Sequence, residues 1–327
     1  MFKAFRIALL LVASFLVAFN AAAWNRGEVD RFAVLPDGAT NPEGIAIDWH
    51  GNVYVTTFRS TDLPGEVHVF DREGHHERTL TLAGSTSALL GIAFHPTTED
   101  LLVVDSVAGS VLRVDPYSGA TSVFTAIGGG TLNALAFDEA GNVYISDSAR
   151  GIIYRTGPTG GAFIEWVNDP DQLGAIGFPR FGANGIGFNK DESAFFIAHT
   201  GKDQIFRVPV EAGVPGMPEV FVNGVNGADG LFLDEHDNIW VAANQADEIV
   251  VIDKDGKVIA KLGDFGGLRH GAPVGLLFPA SLARYRGWVY VTNLSLDAGN
   301  AVDSPWTRQV TRHTISRIRA RIPRVPD

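Results

Sequence analysis

Six times in this chain a short apolar strand begins just after one fixed position, and a second apolar strand follows about a dozen residues later. The stretches are Glu43-GIAID with VYVTT, Leu90-GIAFH with LLVVD, Asn133-ALAFD with VYISD, Asn184-GIGFN with FFIAH, Asp229-GLFLD with IWVAA, and Pro279-ASLAR with VYVTN. Their starting positions lie 47, 43, 51, 45 and 50 residues apart. That period is the length of a propeller blade, and alternating β-branched residues exclude a helical solenoid. Each repeat continues with a third strand, as in EVHVFD (66–71), SVLRVD (110–115), GIIYRT (151–156), QIFRVP (204–209), EIVVID (248–253) and TISRIR (314–319). Fourth strands follow in HERTLTL, ATSVFTA, AFIEWV, PEVFV and KVIAKL, bounded by Gly, Pro, Asp or Asn. The expected fold is all-β, a six-bladed β-propeller of four-stranded blades.

The last repeat ends at TISRIR without a fourth strand, while Arg31-FAVL-Pro36 stands ahead of the first repeat as a strand with no blade. Pairing the two closes the ring and removes two exposed strand edges. No further repeat start occurs between 30 and 327, which excludes a seventh blade. In such an array equivalent positions converge on one axis, so Glu43, Asn133, Asn184 and Asp229 meet in a ring of oxygen donors. Residues ending the second strands, Asp105, Asp147, His199, Asn244 and Asn293, are expected as the next polar shell, with His199 available to carry protons. Three longer connections, Asp169 to Ala183, Phe265 to Phe278 and Leu294 to His313, emerge on that same face and are placed to cover the axis.

Lys3 and Arg6 precede the apolar run Ile7 to Phe19, and Ala21-Ala22-Ala23 follows it. This is the pattern of a cleaved signal peptide over 1–23, with the propeller over 24–327 and a periplasmic or secreted destination. The run is too short to span a bilayer, so no membrane span is expected after cleavage. With no cysteine, the chain relies on packing alone for its stability. A net charge of −11 argues against nucleic acid as the partner. The basic tail, Arg317, Arg319, Arg321 and Arg324, is expected to be the solvated face of a strand. A monomer acting on a small molecule is the expectation.

The stretch PEGIAIDWHGNVYVTT with VHVFDREG resembles the NHL repeat, and the series of repeat starts resembles the SMP-30/gluconolactonase/LRE-like superfamily. That superfamily includes regucalcin, diisopropylfluorophosphatase and the paraoxonases, six-bladed propellers with an axial divalent cation. The resemblance implies that the metal-binding glutamate is Glu43 in NPEGIAID, and that Asn133 in TLNALAFD and Asn184 in GANGIGF are the metal-binding asparagines. It also implies that the catalytic aspartate, which also holds the metal, is Asp229 in GADGLFLD. Two carboxylates and two amides suit a hard cation, Ca²⁺ or another divalent ion, better than zinc. Without the family, Asn184 and Asp229 read equally as residues that precede a glycine and close a turn.

The departures matter for the substrate. Sugar lactonases of the superfamily carry an arginine two residues before the third-repeat asparagine, where this chain has Thr131. Paraoxonases carry a histidine where Leu90 stands, and diisopropylfluorophosphatase has one near Phe278 and Pro279. The resemblance therefore implies an exported, metal-dependent hydrolase of a hydrophobic lactone or ester, with Asp229 as general base or nucleophile. Two other readings stay open: an NHL-type propeller that binds a peptide, glycan or protein, and a strictosidine-synthase-like propeller that needs no metal. Serine hydrolysis and phosphate binding are not supported, since GSTSA (84–88) is no nucleophile elbow and Gly128-Gly129-Gly130 does not open a helix.

Overall fold

The repeats fold as their spacing predicts. The computed structural model describes residues 25–59, 61–177, 180–299 and 304–322, and the proposed signal segment lies outside them. Blade 1 is built from Pro42–Ile47, Val53–Thr57, Gly65–Phe70 and His76–Leu82, in that order from the axis outward. Blades 2 to 5 repeat this order, starting with Leu89–Phe94, Leu132–Phe137, Ala183–Phe188 and Ala228–Leu233. Blade 6 combines Pro279–Tyr285, Trp288–Asn293 and Thr314–Arg319 with the N-terminal strand Val29–Val34, in which Val29 faces Ile318 and Val34 faces Thr314. The ring is thus closed by its own first strand. Among the described residues, no helix is long and apolar enough to cross a membrane.

The second and third strands of each blade are apolar on both faces because each blade is packed between two neighbours. Leu101 and Val103 pack on Tyr54 and Val67 of blade 1, whereas Leu102 and Val104 pack on Val143 and Ile145 of blade 3. Successive side chains of a strand point to opposite faces, so a continuous apolar run fills two interblade cores at once. The hairpin between the first two strands carries its own device. Asp48 accepts from the Asn52 backbone N–H at 2.8 Å, Asp138 from Asn142 at 2.7 Å and Asp234 from Asn238 at 3.0 Å. The second carboxylate oxygen accepts the Tyr144 hydroxyl at 3.1 Å or the Trp240 indole N–H at 2.9 Å. Asp234, Glu235 and His236 lie close enough to one another for a metal cluster, but Asp234 is already committed to this turn. Of the basic tail, Arg319 and Arg321 are exposed while Ile318 is buried, as expected; Arg317 and Arg319 also stack on Trp288, at 4.5 and 3.7 Å from its ring centre, and Arg324 lies outside the described residues.

Register corrects one expectation. In every blade the innermost strand has a bulge that leaves two residues between paired positions: Pro42 faces Thr57 and Ile45 faces Val55, and likewise Pro279 faces Asn293 and Leu282 faces Val291. The position of Glu43 in blade 1 is therefore held in blade 6 by Ala280, one residue later than Pro279. The connection after blade 5 also holds an unanticipated hairpin, Phe265–Arg269 with Ala272–Gly275, whose glycines and Pro273 hide its strand character.

Candidate active site at the propeller axis

Each innermost strand enters the axis so closely that the residue after the first-ring position is small. A Cβ on Gly44 would lie 2.3 Å from the Leu90 carbonyl oxygen, on Gly91 2.4 Å from that of Asn133, and on Gly185 2.4 Å from that of Asp229. Hydroxyls on the second strands fasten carbonyls of the same ring. Thr56 donates to Leu90 O at 2.5 Å, Ser146 to Asn184 O at 2.7 Å and Thr292 to Glu43 O at 2.6 Å. The ring positions are thus fixed through the backbone of the neighbouring blade, and their side chains are free to face the axis.

All four expected residues meet there. Glu43, Asn133, Asn184 and Asp229 line one cavity of about 230 Å³, each 4–5% exposed. Glu43 Oε2 and Asp229 Oδ1 are buried without a hydrogen-bond partner among the described residues. Asp229 Oδ2 accepts from Asn244 Nδ2 at 3.0 Å, and Asn184 Nδ2 donates to Thr200 Oγ1 at 3.0 Å. Burial pushes the Asp229 carboxyl up to about 7, against hydrogen bonds from Asn244, Asn184 and the Gly230 N–H that favour the ionised form. Burial, and then the nearby Asp229, hold Glu43 well above the usual carboxylate range. Two desolvated carboxyls facing one cavity, each with an orphaned oxygen, are the situation that a cation relieves. The donor set, oxygen throughout and flanked by amides, fits a hard divalent ion.

The second polar shell lies one residue beyond where the ends of the strands suggest. Asp105, Asp147, His199 and Asn293 point away from the axis and pin the incoming connections. Asp105 accepts from Thr86 N at 2.8 Å, Asp147 from Thr131 N at 3.0 Å, and Asn293 from Leu277 N at 3.0 Å. His199 has both ring nitrogens engaged, Nδ1 accepting from Lys202 N at 3.2 Å and Nε2 donating to Gly174 O at 3.1 Å. Burial, with Lys202 nearby, lowers its pKa to about 4, so it stays neutral and carries no protons to the cavity. The cavity is lined instead by the next residues, Phe58, Ser106, Thr200, Asn244 and Leu294, because a shift of one residue reverses the face. Ser148, the blade 3 counterpart, donates to Ala183 O at 2.6 Å. Of the expected shell only Asn244, already one step past Ala243, reaches the site. The signal that locates this ring is period two, counted from Thr56, Ser146 and Thr292.

The three long connections do contribute walls: Phe181 from the first, Phe278 from the second, and Leu294 and Leu296 from the third. With Leu90, Val107 and Phe58 they make the lining largely apolar, and Thr131 stands at the edge.

A family model for the SMP-30/Gluconolactonase/LRE-like region matches residues 65–263. The chain belongs to this family. Within the SMP-30/gluconolactonase family, a similar curated protein is Lactonase drp35 of Staphylococcus aureus (strain MW2), 28% identical over 137 residues, which are 40% of this chain and 41% of that protein. The chain thus spans about two fifths of the length of the curated relatives it matches. Among solved structures, a luciferin-regenerating enzyme superposes with a TM-score of 0.66 at 16% identity, covering 90% of this chain and 95% of that one. Regucalcin from Agrobacterium tumefaciens, described as a calcium-binding protein, gives 0.64 at 18% identity, covering 88% and 94%. At these identities the structural likeness speaks for the propeller alone.

Proposed function

We propose that the axial cavity hydrolyses a lactone or related ester, with a divalent cation, Ca²⁺ by the chemistry of its donors, held by Glu43, Asn133, Asn184 and Asp229. The observation that carries this reading is the pair of buried, unpartnered oxygens, Glu43 Oε2 and Asp229 Oδ1, in one cavity. When bound, the cation supplies Lewis-acid polarisation of the ester carbonyl and offsets the charge that develops on its oxygen. The chain supplies the rest. Asp229 keeps Oδ2 on Asn244 and has Oδ1 free to take the proton of a water attacking the carbonyl, or to attack it directly. A single turnover in ¹⁸O-labelled water separates the two. Direct attack expels the alkoxide, which leaves protonated, and hydrolysis of the resulting anhydride at the Asp229 carbonyl leaves the label in Asp229 and unlabelled oxygen in the product. A base-activated water instead puts the label in the product. The apolar walls, Phe58, Leu90, Phe181, Phe278, Leu294 and Leu296, favour an alkyl- or aryl-substituted substrate over a polyhydroxylated one. The likeness to a protein named lactonase supports the reaction class. We also propose export to the periplasm or medium, which N-terminal sequencing of the mature protein tests.

The deciding experiment combines calcium calorimetry on chelator-stripped protein with hydrolysis of aryl and alkyl lactones. Tight binding lost in Glu43→Ala, with hydrolysis that chelator and Asp229→Asn both abolish, is the expected result. Full hydrolysis in Asp229→Asn would remove the catalytic assignment. Absence of both binding and hydrolysis in the unaltered protein would leave a propeller used for recognition.

A further inference from the structure

The two residues that flank the ring in blades 4 and 5 differ from their counterparts in what they touch. At the position just past the second strand, Ser148 is spent on a backbone carbonyl, and Phe58 and Leu294 are apolar. Thr200 donates to the Ala228 carbonyl at 2.8 Å as Ser148 does to Ala183, but its Oγ1 also accepts from the ring side chain Asn184 Nδ2 at 3.0 Å, and Asn244 Nδ2 donates to Asp229 Oδ2 at 3.0 Å. Blade 5 has Ala243 at the strand-end position that pins the incoming connection in other blades, so that task falls to a residue of blade 4. Asp203 Oδ1 accepts the Gly227 N–H at 2.7 Å, the task performed by Asp105, Asp147 and Asn293 in blades 2, 3 and 6. Space for the amide is kept by Gly227, where a Cβ would lie within bonding distance of Asn244 Oδ1 and where φ is +65°. Asn244 is 1% exposed and its Oδ1 has no partner among the described residues. A buried amide with an unsatisfied carbonyl is costly, so something other than packing accounts for it.

We infer that Asn244 is a positioning residue: by holding Oδ2 it fixes the rotation of the Asp229 carboxylate and presents Oδ1 alone to the axis. Thr200 does the same for Asn184 within blade 4, engaging its amide nitrogen so that the carbonyl oxygen is the atom left for a ligand. The ring on blades 4 and 5 is therefore oriented before anything binds, which is how outlying hydrogen bonds raise the affinity of a donor set. The inference rests on the hydrolase reading for its consequence in activity, but not for the orientation itself.

The test uses Asn244→Leu, which carries the side chain found at the blade 6 counterpart Leu294, in the full chain stripped of divalent ions. Crystal structures of the unaltered protein and the variant, calcium calorimetry and lactone kinetics are compared. We expect the Asp229 carboxylate to leave its rotamer, calcium affinity to fall about 10-fold to 100-fold, and kcat to fall by a similar factor with KM changed less than about threefold. A variant with Asp229 in its original rotamer, or with unchanged calcium affinity beside a measurable site in the unaltered protein, overturns the inference. An unaltered protein that binds no calcium sinks the hydrolase reading instead, and the rotamer comparison then decides the role of Asn244 by itself. If Asn244→Leu fails to fold, Thr200→Val supplies the same comparison through the rotation of Asn184.

Discussion

The two halves of the axial mouth share one backbone and differ in chemistry. Blades 3, 4 and 5 place polar side chains at both levels, Asn133 with Ser148, Asn184 with Thr200 and Asp229 with Asn244. Blades 6, 1 and 2 place Ala280 with Leu294, Glu43 with Phe58, and Leu90 with Ser106. Glu43 is thus a carboxylate set into the apolar half, facing the polar one. The lesson is that closure of the ring delivers six equivalent positions, while the proposed function depends on breaking their equivalence. A uniformly polar ring would leave nowhere for an apolar substrate, and a uniformly apolar one would hold no ion.

The largest effect should come from the two carboxylates that join the halves. Asp229→Asn is expected to lower kcat by about 10²-fold to 10⁴-fold, the usual worth of a positioned acid or base, in steady-state assays on an aryl lactone. Glu43→Gln should lower calcium affinity while raising the melting temperature of the ion-free protein, since it removes a buried carboxyl whose ionisation burial and the nearby Asp229 oppose. A melting temperature lowered without calcium would show that Glu43 has a protein partner instead.

The scaffold, by contrast, should respond alike in both halves. Gly44→Ala in the apolar half and Gly185→Ala in the polar half each drive a Cβ to 2.3 or 2.4 Å from a neighbouring ring carbonyl. Both should cost about 1–3 kcal/mol in denaturant unfolding, the range of overpacked cores. Ala134 already occupies this place in blade 3, so Ala134→Gly is the matched control and should change little. A large difference between Gly44→Ala and Gly185→Ala would mean that the ring is not one mechanical unit. A smaller effect should follow from moving the chemical border itself. Leu90→Asn extends the polar half by one blade and is expected to lower kcat/KM for an alkyl lactone about tenfold while leaving calcium affinity unchanged.

Most of the ring was legible because repetition multiplies a weak signal: one Asn or Asp before a glycine is a turn, but several at blade spacing mark an axis. The same landmark explains the error at Pro279. Blade 6 has Ser281 where four blades have Gly44, Gly91, Gly185 and Gly230, and its Pro279-Ala280 imitates Asn133-Ala134 of blade 3, so the strand is dated one residue early. The second ring escaped for a related reason. An apolar run shows where a strand lies but not which of its last two residues turns inward, and only the pairing of Pro42 with Thr57, and of its counterparts in other blades, settles that. Asp203, which does the pinning that Ala243 in blade 5 cannot, is a contact between connections and has no local pattern to betray it.

The smallest expected effect separates the axis from the rest of the molecule by pH. His68, His199 and His313 are buried and held down to about 4, His68 and His199 by burial and neighbouring positive groups, His313 by burial. The unfolded chain protonates them near 6.5 and the folded one does not, so stability is full above that pH and is lost as pH falls from about 6.5 toward 4. At the axis the sign is opposite. Asp229, pushed up to about 7, and Glu43, also raised, hold protons that the unfolded chain has released, so this contribution is lost as pH rises from about 4 toward 7. Calcium would bind the ionised carboxylates and cancel only the second slope. Thermal scans at pH 5, 6, 7 and 8 should therefore show a calcium-induced rise in melting temperature that grows with pH. The acid-side decline should be the same with and without calcium, and shallower in His199→Gln by about 2–3 °C between pH 7 and 5. A calcium shift that is equal at all four pH values would mean that the ion does not meet the Glu43 and Asp229 pair.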